Sequence, residues 1–262
     1  MSKTASIYVS SFDSYIDVLP QFFARFSKYW PDCPYQVFLG GINKVYVDAG
    51  VKTIRTQATD WSSGITECLR QIDSTYVIVL LDDFLIDRRV DNVVISRLIS
   101  LMDRLQLHAI RLNPCPPPDI PMPAIPDLGF QGEGQPNRIS MQATLWRRET
   151  LLQLVNPGES IWEFEIYGSL RSNRYPGGIC GCWKSVIHYV MGLNRGRWFR
   201  RALRSLASDG IHPDTSSRAV ETPLEELRDF LALCITTVIR RLLPLRWRQW
   251  VHMKIDPNVY RY

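Results

Sequence analysis

A chain of 262 residues that is 45 % apolar can bury a large core, which excludes wholesale disorder and suits one α/β domain with additions or two small domains. The net charge of +5 is uneven: residues 195–262 hold 13 Lys/Arg and 7 Asp/Glu (+6), leaving 18 basic and 19 acidic residues (−1) elsewhere. No signal-type apolar stretch opens the chain (MSKTASIYVSSFDSY), and the run FLALCITTVI is about half a membrane span, so the expectation is a cytoplasmic protein whose basic tail can meet an anionic membrane surface.

In chain order, residues 5–10 (ASIYVS) read as a strand and 15–30 as a helix with Pro20 near its first turn. Short strands are expected at 35–39 and 51–55, a helix at 62–72 with Ser62 as a good N-cap, and a strand at 76–81. A helix at 93–105 and a strand at 108–112 continue the alternation, which implies a mostly parallel sheet. Eight prolines between Asn113 and Asn137 then forbid helix and central strand, leaving a long extended loop. Beyond it come a strand at 138–146 and helices at 147–155, 160–172, 195–207 and 223–243. The six cysteines, Cys33, Cys68, Cys115, Cys180, Cys182 and Cys234, match no zinc or thioredoxin spacing, and reduced thiols are expected.

The informative stretch is YVIVLLDDFLI, residues 76–86, in which a buried-type strand delivers two adjacent acids, Asp82 and Asp83, at its C-terminal end. Open parallel sheets bind ligands outside those ends. Adjacent carboxylates repel, and a hard divalent ion, Mn²⁺ or Mg²⁺, would relieve them while taking phosphate oxygens into its shell. The plainer use of these aspartates is to start a turn. The first glycine is Gly40, so no Rossmann or P-loop glycine motif follows the first strand.

The segments SSFDSY, YWPDCPYQVFL, DWSSGITECLRQIDSTYVIVLLDDFLI, RISMQATLWRRETLLQLVNPGESIWEFEIYGSLRS and NRGRW, over about residues 5–200, together resemble a group of bacterial GT-A-type glycosyltransferases found among polysaccharide-assembly enzymes. The resemblance implies a GT-A-like nucleotide-diphospho-sugar transferase fold: a mostly parallel central sheet flanked by helices in a catalytic domain, 1–194, with a basic helical C-terminal extension, 195–262. It implies that Asp82 and Asp83 bind the donor's metal and ribose, although this chain carries DDF where the family motif is Asp-X-Asp. It places Ser10, Asp13 and Tyr15 near the base and ribose, Asp60 and Trp61 in a second nucleotide-side segment, and His212 where some members hold a late metal ligand. For Ser10 and Asp13 the alternative is a helix cap and turn, for Trp61 the core, and for His212 a structural role; His188 is expected in the core.

In SIWEFE, Ser160 and Glu163 form a capping-box pattern that leaves Glu165 without a structural duty. Inverting GT-A enzymes place the general base at a comparable helix start, so the resemblance assigns that role to Glu163 or Glu165. Trp162 can stack on an acceptor sugar or simply pack. The reading is a glycosyltransferase moving a sugar from a nucleotide-sugar to a hydroxyl of a glycan or lipid-linked glycan, inverting and metal-assisted. A non-catalytic nucleotide- or glycan-binding scaffold and a metal-dependent phosphotransferase compete with it. Arg240, Arg241, Arg246, Arg248, Trp247 and Trp250 suit an anionic membrane surface or a packed terminal helix bent at Pro244, and no motif points to nucleic acid.

Overall fold

The computed structural model describes residues 4–44, 46–135, 137–228 and 231. Of the helix expected at 223–243, residues 223–228 are helical; Arg240, Arg241, Arg246, Trp247, Arg248, Trp250 and Pro244 lie outside the described residues.

The elements, in order, are β1 (Ala5–Ser10), α1 (Leu19–Tyr29), β2 (Gln36–Ile42), β3 (Val51–Arg55), α2 (Trp61–Gln71), β4 (Tyr76–Leu81), β5 (Phe84–Ile86), α3 (Asn92–Arg104), β6 (Ala109–Arg111), β7 (Ile120–Pro121), β8 (Leu128–Phe130), β9 (Thr144–Arg147) and α4 (Arg148–Leu154). Next, α5 (Ile161–Glu163), a π-helical turn (Phe164–Gly168), α6 (Ser169–Arg171) and a 3₁₀ turn (Ser172–Arg174) run end to end. β10 (Ile179–Cys182), β11 (Tyr189–Met191), β12 (Leu193–Asn194), β13 (Arg197–Trp198) and α7 (Arg200–Ser208) follow.

Nine strands form one sheet in the order β3-β2-β1-β4-β9-β6-β10-β8-β7. β3, β2, β1 and β4 are mutually parallel, and only β9 and β8 run against the rest of the sheet. The α/β expectation of a mostly parallel sheet flanked by helices therefore holds. Alternation along the central strands feeds two cores. Ile7, Val9, Ile78 and Leu80 pack with the apolar residues of α1, α3 and α7, whereas Tyr8, Val77 and Val79 pack with those of α2 and α4 and with Phe164.

Several local expectations need correction. α1 starts at Leu19 rather than 15, because Pro20, lacking an N–H, belongs in a first turn; residues 13–15 make a separate 3₁₀ turn. α2 is capped by Asp60, which accepts from Ser63 N at 2.8 Å, so Ser62 lies inside the helix and is fully buried. The proline-rich loop does hold strands, β7 and β8, at the sheet edge, the one place where Pro121 costs no central ladder bond.

The strand expected at 138–146 forms only from Thr144. Arg138 is buried and its guanidinium donates to the carbonyls of Gln131, Ser172 and Tyr175, tying the start of this segment to neighbouring turns instead of to a strand. Residues 195–198 are not helical. Arg195 (φ 49°) and Gly196 (φ 76°) are both left-handed, as a two-residue hairpin turn between β12 and β13 requires, and the helix waits until Arg200. The expected boundary at 194/195 thus falls at a hairpin turn, and Trp198, Phe199, Ala202 and Leu206 beyond it belong to the main core. His188 is half-buried beside β11.

Candidate functional site at the β1/β4 crevice

The chain leaves β1 for β2 and β3 on one side and returns for β4 on the other. The sheet's order therefore reverses between β1 and β4, and the crevice beyond their C-terminal ends is the favoured ligand position of such a sheet. Ser10 and Ser11 leave β1 there, and Asp82 and Asp83 leave β4; Asp82 N donates to Ser10 O at 3.2 Å. Gly41 presses in from β2: with φ 85°, a Cβ there would stand 2.2 Å from Ser11 O.

Asp82 is 6 % exposed and accepts a hydrogen bond from the Ser11 hydroxyl. Burial, followed by the neighbouring Asp83 charge, raises its proton affinity well above the usual carboxylate range, and the Ser11 bond and Arg218 offset part of this. Asp83 is half-buried; burial pushes its carboxyl up to about 7, against backbone bonds that include Leu193. The guanidinium that acts on Asp82, Arg218, is engaged in an ion pair with Asp17 at 2.7 Å. Two adjacent, desolvated, all-oxygen donors beside Ser11 fit a hard divalent cation that draws its remaining ligands from a diphosphate. Among the described residues no group of three His, Cys, Asp or Glu could hold a metal, so His212, exposed after α7, joins no such set with these acids.

The other residues expected on the donor side divide. Tyr15 stands at the crevice: burial and the charges of Asp82 and Asp83 raise its phenol, and Arg218 lies 4.8 Å from its ring centre. Ser10 is buried at the end of β1. Asp13 accepts from the backbone N–H groups of Asn43 and Lys44, both at 3.0 Å, and so closes the turn after β2. Asp60 serves as the α2 cap, its carboxyl held below the usual range by the Ser62 and Ser63 bonds. Trp61 is buried with its ring centre 5.2 Å from that of Phe164.

At the start of α5, Glu163 completes the capping box, accepting from Ser160 N at 2.9 Å and Ser160 Oγ at 2.8 Å. Glu165, contrary to expectation, has a structural partner: it accepts from Met141 N at 2.6 Å. Burial raises its proton affinity, with Met141 N, the Ser140 side chain and Arg111 pulling the other way. The π-helical turn that begins at Phe164 adds a residue to the helix at this point, a deviation that recurs at functional sites. Trp162 is 41 % exposed.

Residues 141–143 link the end of β4 to Glu165. β9 runs antiparallel to β4 with Val79 opposite Thr144, so the residues leading into β9 lie beside those leaving β4. Met141 N holds Glu165, Gln142 Oε1 accepts from the Tyr189 hydroxyl, and Ala143 N donates to the Tyr189 hydroxyl oxygen at 3.4 Å. Tyr189 in turn stacks on Phe84 with ring centres 4.2 Å apart, next to Asp83. Neither Gln142 nor Tyr189 carried a signal in the sequence, and Ser11, Gly41 and Arg218 were equally silent. A depression between α3 and the proline-rich loop, lined by Arg97, Leu101, Ile125 and Asp127, shares no residue with this crevice.

No family model and no curated protein matches the chain. Solved structures do. S. aureus TarS 1-349 is 11 % identical with a TM-score of 0.46, over 72 % of this chain and 60 % of that one. The same fragment in complex with UDP-GlcNAc is 10 % identical with a TM-score of 0.44, over 73 % and 59 %. Bifunctional IspDF from Campylobacter jejuni is 10 % identical with a TM-score of 0.40, over 72 % and 52 %. The chain thus spans about 60 % of the TarS fragment. Likenesses this distant leave the functional argument to the crevice itself.

Proposed function

We propose that this chain is a GT-A-type glycosyltransferase that moves a sugar from a nucleotide-sugar donor to a hydroxyl of a glycan or lipid-linked glycan, with inversion. The observation that carries the reading is the desolvated pair Asp82–Asp83 at the β1/β4 switch point, joined through 141–143 to Glu165. The donor's diphosphate lies over Ser11, Asp82 and Asp83. A divalent cation held by the two aspartates would offset the charge that builds on the departing diphosphate.

Glu165 is the better placed of the two glutamates to take the acceptor's proton. Glu163 is exposed and committed to its cap, whereas Glu165 faces the segment that borders the donor and has the raised proton affinity useful in a base. The exposed Trp162 belongs to the acceptor side of the same helix start. Among the described residues no helix is long and apolar enough to cross a membrane, and a basic tail resting on an anionic leaflet fits a lipid-linked acceptor.

Incubation with a panel of nucleotide-sugars, with Mn²⁺ and a mixed glycan and glycolipid acceptor pool, tests the reading. The expected result is acceptor-dependent release of nucleoside diphosphate, abolished by Glu165→Gln. Binding without turnover for every donor would point to the scaffold reading, and donor hydrolysis without transfer would point to a phosphotransferase-like activity.

A further inference from the structure

The segment after α7 returns to the crevice. Val220 bridges Trp198 in parallel, Trp198 N donates to Ala219 O at 2.8 Å, and Glu221 N donates to Trp198 O at 2.9 Å. This backbone pairing fixes Arg218 at the rim, 201 residues along the chain from Asp17. Its guanidinium donates to Asp17 through Nε at 3.0 Å and Nη2 at 2.7 Å, to Ser14 O at 2.6 Å and to Gly196 O at 2.8 Å. The Tyr15 ring backs it at 4.8 Å. A Cβ on Gly196 would sit 3.4 Å from Arg218 Nη1 and 3.9 Å from Tyr15 Oη, so hairpin tip, phenol and guanidinium meet at one point.

The charge balance there is lopsided. Among the described residues, Asp17, Asp82 and Asp83 raise the proton affinity of the Tyr15 hydroxyl and Arg218 lowers it. A diphosphate entering such a place needs positive charge on its outer side as well as over the strand ends.

We propose that Arg218 is a second, protein-borne cation of the diphosphate site, exchanging part of its pairing with Asp17 for phosphate oxygens of the bound nucleoside diphosphate. The inference rests on the donor-site reading above and adds a residue that neither the sequence motifs nor the strand-end acids indicate. Arginine suits the task, because its planar fork matches phosphate bidentately and keeps its charge at any working pH. Asp17 holds the fork at the rim in competition with phosphate, and the two carboxylates of the strand end remain for the metal. The rival view makes Arg218 a staple that merely ties the hairpin tip to the loop after β1.

Calorimetric titration of the full chain with inorganic pyrophosphate, in EDTA and again in Mg²⁺, separates the two. The parent binds in EDTA; Arg218→Met weakens that binding by at least about tenfold, the scale of a lost charge-assisted contact. Arg218→Lys keeps the charge without the fork and falls between. Asp17→Asn decides the matter even if Arg218→Met folds poorly: it releases the guanidinium, so pyrophosphate binds as tightly as in the parent or more tightly. Under the staple view Asp17→Asn weakens binding as Arg218→Met does, and that result overturns the inference. Binding by the parent that Asp83→Asn reduces in Mg²⁺ but Arg218→Met leaves unchanged overturns the inference alone. No binding by the parent under either condition overturns it together with the donor-site reading.

Discussion

The strand-end acids and the helix-start acids form matching pairs with opposite histories. Asp82 and Asp83 are desolvated by the sheet they terminate, and Asp82 is held by Ser11. Glu163 and Glu165 sit in the first turns of a helix; one is absorbed by the cap, and the other turns back toward the segment entering β9. In the helix pair Glu163 is committed to the cap and exposed, while Glu165 is buried against Met141 N; in the strand pair both acids are desolvated, Asp82 held by Ser11 and Asp83 by backbone N–H groups. The lesson is that nearness in sequence says little about how differently two acids are held, which only their tertiary partners reveal.

The sharpest way to break this comparison is at Glu165. Glu165→Gln is expected to lower turnover by at least about 10²-fold while leaving donor affinity nearly unchanged. A loss of binding instead of rate would make Glu165 a scaffold for 140–142. Because its proton affinity is raised, activity in the parent should fall as pH drops toward that raised value, and this acid limb should vanish from whatever activity Glu165→Gln retains.

Asp83→Asn should weaken metal-dependent nucleoside diphosphate binding by roughly tenfold or more. It also carries a stability signature. The folded chain holds the Asp83 proton up to about 7, against 3.8 for an ordinary aspartate, so the fold gains from protonation at low pH and loses that gain as pH rises through about 7. In metal-free buffer at pH 8, Asp83→Asn should therefore melt above the parent, and the difference should close toward pH 4. An unchanged or lower melting temperature at pH 8 would show that the carboxylate is not desolvated. The bridge between the regions gives a smaller effect: Tyr189→Phe removes the bond to Gln142 and should reduce turnover several-fold, non-additively with Asp83→Asn in a double-mutant cycle. Smallest is the cap. Ser160→Ala should cost about 1 kcal/mol of stability with activity retained.

What was legible in the sequence was local. The apolar run of β4 and the acids that end it need only neighbours in sequence to be seen, and so does the Ser160–Glu163 box. What was not legible depends on distant partners. Glu165 looked unoccupied because the N–H it accepts from belongs to Met141, and Arg218 gave no sign of reaching Asp17 across the whole domain. Asp60 and Trp61, marked as donor-side by resemblance, are accounted for by a cap and a core contact that tertiary packing alone reveals. The hairpin at Arg195–Gly196 was hidden differently: a basic amphipathic pattern suggested helix, while a left-handed Arg-Gly pair was needed to fold β13 back onto β12.

The central claim is that the β1/β4 crevice binds a nucleoside diphosphate through Asp83. Its most direct test is calorimetric titration of the parent and Asp83→Asn with UDP, GDP, CDP, ADP and dTDP, each with and without Mn²⁺. The account predicts that at least one of them binds the parent, more tightly with Mn²⁺, and that Asp83→Asn loses the Mn²⁺ increment. Failure of all five to bind, or an Mn²⁺ increment that survives in Asp83→Asn, would contradict it.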